Sequence, residues 1–305
     1  MMAASRPPLE WFPAPGKLNL CLHVLGRRPD GMHELQTVFR FIDRCDRVGV
    51  SARDDGEIRF SGMFAQDDLC LQAAKLLQAA AGTRQGADLG LEKHLPVGGG
   101  LGGGSSDAAT VFLVLNRFWK LNLTRKELMK LGEQLGADIP FFLYGRSALG
   151  EGVGERLREL ELPAAWYLVL MPQVPVSTAE IFADAALTRD TKPLKIPPFL
   201  SGQGRNDLEA AAVRRYPQMA QHLAWLRAHR PQARMTGSGA CVFAEFEQET
   251  EARDLHGKLP AQMRGFVARG HERHPLYDWA QGLNGASPSW SKAPDFDSGI
   301  PRFES

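Results

Sequence analysis

Six of the seven residues from 98 to 104 are glycine, within the run Pro96-Val97-Gly98-Gly99-Gly100-Leu101-Gly102-Gly103-Gly104-Ser105-Ser106-Asp107. Few folds have a use for such a segment. Residues without a Cβ reach positive φ freely and leave no side chain between the main chain and a ligand. Successive N–H groups can then turn inward as an anion-binding nest. The apolar stretch Ala108 to Phe118 follows at once and is predicted to be a helix. Its unpaired first N–H groups and the positive end of its dipole would add to the nest. Ser105 and Ser106 place hydroxyls where phosphate oxygens, or a phosphate-bound Mg²⁺, would lie. The construction suits a triphosphate. It is not a Walker A loop, because no Gly-Lys-Ser/Thr closes it, and no acid follows at the ribose distance of a dinucleotide fingerprint. The alternative is a tight turn or linker, although linkers are seldom followed directly by a strongly apolar helix.

A chain of 305 residues is long enough for two domains. A formal net charge of +1 gives no long-range field for nucleic acid or an acidic membrane. Cys21, Cys45, Cys70 and Cys241 are scattered, without the spacing of a zinc site or a disulfide framework, so reduced thiols are expected. Neither a charged-then-apolar leader nor an apolar run of membrane-spanning length is present. These features predict a cytoplasmic protein that meets a soluble substrate or a soluble partner; a monomer or weak homodimer is expected.

Strict alternation from Lys17 to Val24 predicts a strand beginning after Pro15-Gly16. Leu18, Leu20, Leu22 and Val24 would form its apolar face, and Lys17, Asn19, Cys21 and His23 the other. Arg27 to Gly31 reads as a turn. Further strands are predicted at 35–42, 47–52, 167–171, 240–246 and 265–268. Helices are predicted at 68–81, at 124 onward with a Thr124/Glu127 capping box, and at 210–228 and 249–258. The Pro-rich run 192–198 reads as a loop. A domain boundary is placed near 155–165. From about residue 281 the chain turns to Gly, Ser, Pro and charge, which predicts a disordered tail.

Three segments together resemble the galactokinase–homoserine–mevalonate–phosphomevalonate (GHMP) kinase superfamily. They are Pro13-Ala14-Pro15-Gly16-Lys17-Leu18-Asn19-Leu20, the glycine loop with its serines, and Thr236-Gly237-Ser238-Gly239-Ala240. The runs at 26–39, 135–142, 151–155 and 236–246 are most similar to the branch that phosphorylates a cytidylylated methylerythritol in the non-mevalonate route to isoprenoids. The resemblance spans about Trp11 to Trp279. It implies an α+β protein of two domains. Residues 1–160 would form an N-terminal ATP-binding domain like domain 2 of ribosomal protein S5. Residues 161–280 would form a ferredoxin-like C-terminal domain, and 281–305 the tail. It also implies ATP, with Mg²⁺ carried on the nucleotide, and transfer of the γ-phosphoryl group to the 2-hydroxyl of the acceptor.

The resemblance assigns Asp138 as the base that takes the hydroxyl proton; on residues alone it is equally a helix N-cap before Ile139-Pro140. It places a catalytic lysine at Lys17, otherwise a solvated lysine at a strand start, and Asn19 beside the substrate hydroxyls. His33 would hydrogen-bond the cytosine and Phe182 stack on it; a surface histidine and a core phenylalanine are the alternatives. Lys93, or else a surface lysine, would approach the ATP together with residues 96–106. Gly237, Ser238 and Gly239 would close over the ligands, or form a plain β-turn. The sequence departs from the family pattern at Met32 (usually Tyr), Asp68 and Asp107 (usually Asn) and Gly16 (usually Ala). The run His271-Glu272-Arg273-His274 reads as a polar chain end rather than a metal site.

Overall fold

The computed structural model describes residues 8–61, 68–195 and 204–282; the expected tail, and the end of the Pro-rich run, lie outside them. Their organiser is a pair of long antiparallel strands, β1 (Glu10–Arg27) and β2 (His33–Arg53). Strand β1 starts well before Pro15-Gly16. It passes that pair with a register shift between Pro15 and Lys17, so the Pro-Gly signal marks a bulge rather than a strand start.

Strands β3 (Ile58–Ser61) and β4 (Gly86–Glu92) extend the far half of β2, and β5 (Ala148–Gly152) and β6 (Arg156–Glu159) extend its near half. The second set comprises β7 (Trp166–Leu170), β8 (Arg234–Met235), β9 (Val242–Phe246) and β10 (Gly265–His271). Strand β10 joins the two sets, pairing with β7 and, through Gly270 and His271, with Ile42 and Phe41 of β2. The predicted segments 35–42 and 47–52 are therefore one continuous strand.

Helices α1 (Leu69–Ala81), α2 (Gly103–Phe118), α3 (Arg125–Gly132) and α4 (Ile139–Tyr144) pack on the first set. Helices α5 (Thr178–Phe182), α6 (Glu209–Arg215), α7 (Pro217–His229) and α8 (Glu249–His256) belong with the second. The predicted helix over 210–228 is broken between α6 and α7, because Pro217 has no N–H to continue the ladder. The Thr124/Glu127 capping box is present at α3.

The expected one-sided character of β1 does not hold. Leu18 and Leu20 enter a cluster with Ile42, Leu95 and Phe243, whereas Leu22 and Val24 enter the cluster of the second set. Lys17, Asn19 and His23, on the other face, are buried as well. The strand is covered on both sides, so the alternation reports which residues are apolar rather than which face water. The chain end also differs from expectation. His274 is fully buried with its ring edge-on to Phe41 at 5.7 Å, and Trp279 packs 5.1 Å from Phe12 in the first core. The His271–His274 run is thus not a polar chain end: Leu276 and Trp279 anchor the segment in apolar packing, and His274 is carried in with them.

Candidate active site

Helix α2 begins at Gly103, five residues before the apolar run, so the last glycines and both serines form its first turn. Gly98, Gly100 and Gly102 all have positive φ, which coils the loop tightly ahead of the helix. Ser106 N–H donates to Gly102 O at 2.9 Å, the first bond of the helix. The amides of residues 100–105 donate to no group among the hydrogen bonds of the described residues. Those of 103–105 are the donors that every helix start leaves over.

Lys17 on β1 stands against this loop. Its N–H donates to Leu101 O at 2.9 Å, and its Nζ lies 3.3 Å from Oδ2 of Asp138 and donates to Asn19 Oδ1. The lysine is 2% exposed, whereas the Asp138 side chain is 34% exposed. The cation is sunk in the cleft while the acid remains reachable at its edge. Asp138 occupies the N-cap position of α4, yet its side chain caps no N–H. The Phe39 ring lies 5.7 Å from Lys17 Nζ and adds a cation–π attraction. A methyl group on Gly102 would stand 2.9 Å from Phe142 and 3.0 Å from Lys17 Cε, so the loop approaches the lysine this closely only as glycine.

The turn at 236–239 docks on the same loop. Thr236 Oγ1 accepts from Asn19 N–H at 2.9 Å and donates to Gly100 O at 3.3 Å, and Cys241 N–H donates to Gly99 O at 3.1 Å. A Cβ on Gly100 would fall 2.3 Å from Thr236 O. Asn206 steadies the turn by donating to the carbonyls of Met235 and Gly237 at 3.0 and 2.8 Å. Ser238 Oγ lies 2.7 Å from Thr178 Oγ1. Asn19 is fixed from the other side by donating to Thr37 Oγ1 at 2.8 Å.

Lys93 lies at the foot of the loop, its Nζ paired with Asp46 and, at 2.7 Å, with Asp107 Oδ2. Asp46 also accepts the Leu95 N–H at 2.7 Å. Burial pushes the Lys93 ammonium down, but the two carboxylates outweigh it and hold its pKa above the ordinary value. Asp107 is raised well above the carboxylate range, by burial first and by Asp46 second, against the pull of Lys93. Asp107, where the family pattern has an asparagine, is thus buried and paired with Lys93 inside the protein. Asp68, the other acid for asparagine, caps α1 by accepting from Cys70 N–H at 2.7 Å.

At the far end of the β1–β2 hairpin, His33 stacks on Phe182 with centroids 4.9 Å apart, and its Nε2 accepts from Arg189 Nε at 3.1 Å. Burial and the charges of Arg189 and Arg27 lower its pKa. Met32, next to it, is half exposed. The structure thus brings Lys17, Asn19, Asp138, the glycine loop and the 236–239 turn together, with His33 and Phe182 stacked on each other at the far end of the β1–β2 hairpin. Val97 is exposed at the loop's start, and Leu101 points into the core.

The family model described as GHMP kinases N terminal domain matches residues 68–146, and that described as GHMP kinases C terminal matches 182–265. A 4-diphosphocytidyl-2-C-methyl-D-erythritol kinase of Nitrosospira multiformis is 55% identical over 275 residues, covering 88% of this chain and 94% of that one. One from Thiobacillus denitrificans is 55% identical, covering 88% and 98%. The chain belongs to the 4-diphosphocytidyl-2-C-methyl-D-erythritol kinase family. A crystal structure of a 4-(cytidine 5'-diphospho)-2C-methyl-D-erythritol kinase superposes with a TM-score of 0.77 at 35% identity, covering 86% of this chain and 99% of that one. A homoserine kinase from Cytophaga hutchinsonii shares the fold, with a TM-score of 0.66 at 16% identity.

In this member of the 4-diphosphocytidyl-2-C-methyl-D-erythritol kinase family, sequence reasoning missed Asp46, Asn206 and Arg189. Asp46, fully buried, sits in a strand between Cys45 and Val48, and a charge amid strand residues was the available signal. Asn206 and Arg189 lie in irregular chain, where no periodicity marks a buried partner.

Proposed function

We propose that this chain transfers the γ-phosphoryl group of ATP to the 2-hydroxyl of 4-diphosphocytidyl-2-C-methyl-D-erythritol, yielding the 2-phosphate and ADP in the non-mevalonate route to isopentenyl diphosphate. The observation that carries this reading is the 3.3 Å pair of a sunken ammonium and an open carboxylate, Lys17 and Asp138, beside a run of loop amides that find no partner among the described residues.

The amides of 100–105 and the start of α2 cradle the phosphate chain, with Pro96, Val97 and Gly98 to Gly104 shaping the loop and Ser105 and Ser106 adding hydroxyls. Asp138 accepts the acceptor's hydroxyl proton as that oxygen bonds to phosphorus and the bond to the β-phosphate oxygen breaks. Lys17 opposes the negative charge on the oxygens that gather there. Asn19, held by Lys17 and Thr37, orients the acceptor's hydroxyls. Gly237, Ser238 and Gly239 cover the cleft. Lys93 acts from beneath, cancelling Asp46 and Asp107 so that the loop presents no net acid to the nucleotide. Phe182 and His33 take the pyrimidine.

Mg²⁺ fits this site as an ion carried by the nucleotide. Among the described residues no group of three His, Cys, Asp or Glu could hold it, but Ser106 Oγ is a buried hydroxyl without a partner at the head of α2, and Ser105 and Asp138 offer further oxygens. Bound there, the ion would neutralise β- and γ-phosphate charge.

The two cores support a division into an N-terminal domain (1–160), of the ribosomal protein S5 domain 2 kind, and a ferredoxin-like C-terminal domain (161–280), with the segment at 276–281 returning to the first core. Among the described residues no helix is long and apolar enough to cross a membrane. The deciding experiment is ADP release with the cytidylylated methylerythritol as acceptor, run beside homoserine and mevalonate. Turnover with the first alone is expected. Turnover only with another acceptor overturns the substrate assignment, and none with any acceptor overturns the kinase reading.

A further inference from the structure

Arginine has five N–H donors and no acceptor. The Nε–H of Arg189 meets Nε2 of His33 at 3.1 Å, so that ring nitrogen must present its lone pair. A neutral imidazole with a lone pair on Nε2 carries its proton on Nδ1. Among the hydrogen bonds of the described residues, His33 Nδ1 has no partner, and the ring is only half buried. The ring's free polar atom is therefore an N–H donor.

Arg189 is itself held firmly. Its Nη atoms donate to the carbonyls of Phe182 and Asp184 at 2.9 Å each and of Leu187 at 3.0 Å, which knots the turn after α5 around the guanidinium. The same guanidinium thus fixes Phe182 and the orientation of His33, whose rings stack. A like charge beside the ring also opposes a second proton on it.

We propose that Arg189 is a positioning residue that sets the pyrimidine specificity of the site, by locking His33 as a neutral imidazole with Nδ1–H as its only donor. The inference rests on the reading that His33 and Phe182 take the pyrimidine. Cytosine offers an acceptor at N3, which this donor satisfies. Uracil carries a hydrogen at N3, so two donors would face each other and one would lose its partner. A site built around a fixed donor rejects the wrong partner because a buried polar group is left unpaired. The selection thus comes from a residue that need not touch the base.

Two measurements test this. Nitrogen-15 NMR of the wild-type His33 ring is expected to show the neutral Nδ1–H tautomer; the Nε2–H tautomer overturns the proposal without any variant. Steady-state kinetics would then compare the cytidine substrate with its uridine analogue. In Arg189→Met the cytidine-over-uridine ratio of kcat/KM is expected to fall about tenfold or more, through KM, with mixed His33 tautomers. Arg189→Lys, which keeps a donor, is expected to restore much of it. A ratio unchanged in Arg189→Met, with the variant folded, overturns the proposal. Phe182→Ala and His33→Phe separate the underlying reading. If both keep wild-type affinity for a cytidine diphosphate ligand by calorimetry, the pyrimidine is elsewhere and that reading fails. If both lose affinity while Arg189→Met keeps the ratio, only the role of Arg189 fails.

Discussion

Replacing Asp138 by Asn keeps the size of the side chain and removes its charge and proton affinity. Two unit charges 3.3 Å apart attract by about 5 kcal/mol at an effective dielectric of 20. Because the Asp138 side chain is 34% exposed, solvent screening reduces that figure, to about 1–3 kcal/mol. Lys17, 2% exposed, would be left with Asn19 as its polar partner, so a stability loss of that size is expected in urea unfolding. The loss in turnover should be larger than any effect of stability, since the variant remains folded at assay temperature. A general base contributes about 10²–10⁴-fold, so kcat for ADP release should fall at least about 100-fold, with the KM for ATP little changed. Lys17→Met should fall comparably, and the double variant should be little worse than the poorer single one, because the two groups act on one proton transfer and its charge. Turnover in Asp138→Asn within a factor of two of wild type would refute the assignment of the base. Additive losses in the double variant would refute the idea that the pair works as a unit.

Other perturbations read the scaffold. Gly102→Ala combines positive φ with a methyl 2.9 Å from Phe142 and 3.0 Å from Lys17; it should lose about 2–4 kcal/mol of stability in denaturant titration and lower kcat. Lys93→Met leaves Asp46 and Asp107 buried without a cation and should cost about 3–5 kcal/mol. Asp107→Asn keeps an oxygen that can accept from Lys93 and leaves Asp46 as the cation's partner, so it should cost less than Lys93→Met in the same titration. His274 has its pKa pushed down to about 3 by burial and accepts the Leu276 N–H at 3.0 Å, so the folded state holds it neutral. Below about 6.5 the unfolded chain binds the proton that the folded chain refuses, so stability should fall as pH drops from about 6.5 towards 3. His274→Asn should flatten that acid branch of a stability-against-pH curve.

Much of the catalytic half of this site is legible in sequence because its chemistry depends on local runs. The glycine loop announces itself through residues that fit no other purpose, and the apolar run behind it fixes a helix with its N-terminus at the loop. Even so, the helix starts at Gly103, where tertiary context overrides glycine's low helix propensity. Lys17 and Asn19 could be placed on one strand face from alternation, but not their burial: the glycine loop packs on Lys17 through Leu101 O and Gly102, and the 236–239 turn docks on Asn19. What could not be read was long-range. Nothing local says that Asp46, reached across the sheet, would hold Lys93, or that Arg189 would return to His33 over more than 150 residues of chain. The His271–His274 run misled for the same reason: its polarity is local, and its burial is set by where Leu276 and Trp279 find their core.

Two lysines approach the glycine loop, and the geometry separates their roles. Gly102 faces Lys17 and Gly103 faces Lys93: an added Cβ would come within 3.0 Å of Lys17 Cε and 3.1 Å of Lys93 Nζ respectively. Consecutive glycines thus let one cation in on each side of the start of α2. The partners differ in accessibility. Asp46 and Asp107 are 0% and 2% exposed, out of reach of any substrate hydroxyl, and they hold Lys93 where it can only balance charge. Asp138 is open at the cleft and shares its lysine with a hydrogen-bonding amide, so the pair can accept a proton and answer the charge that follows. A buried carboxylate that cannot meet the hydroxyl cannot act as its base, however close it lies to the phosphates. Between two ion pairs flanking the same anion nest, solvent access to the acid decides which one performs the reaction and which one holds the loop.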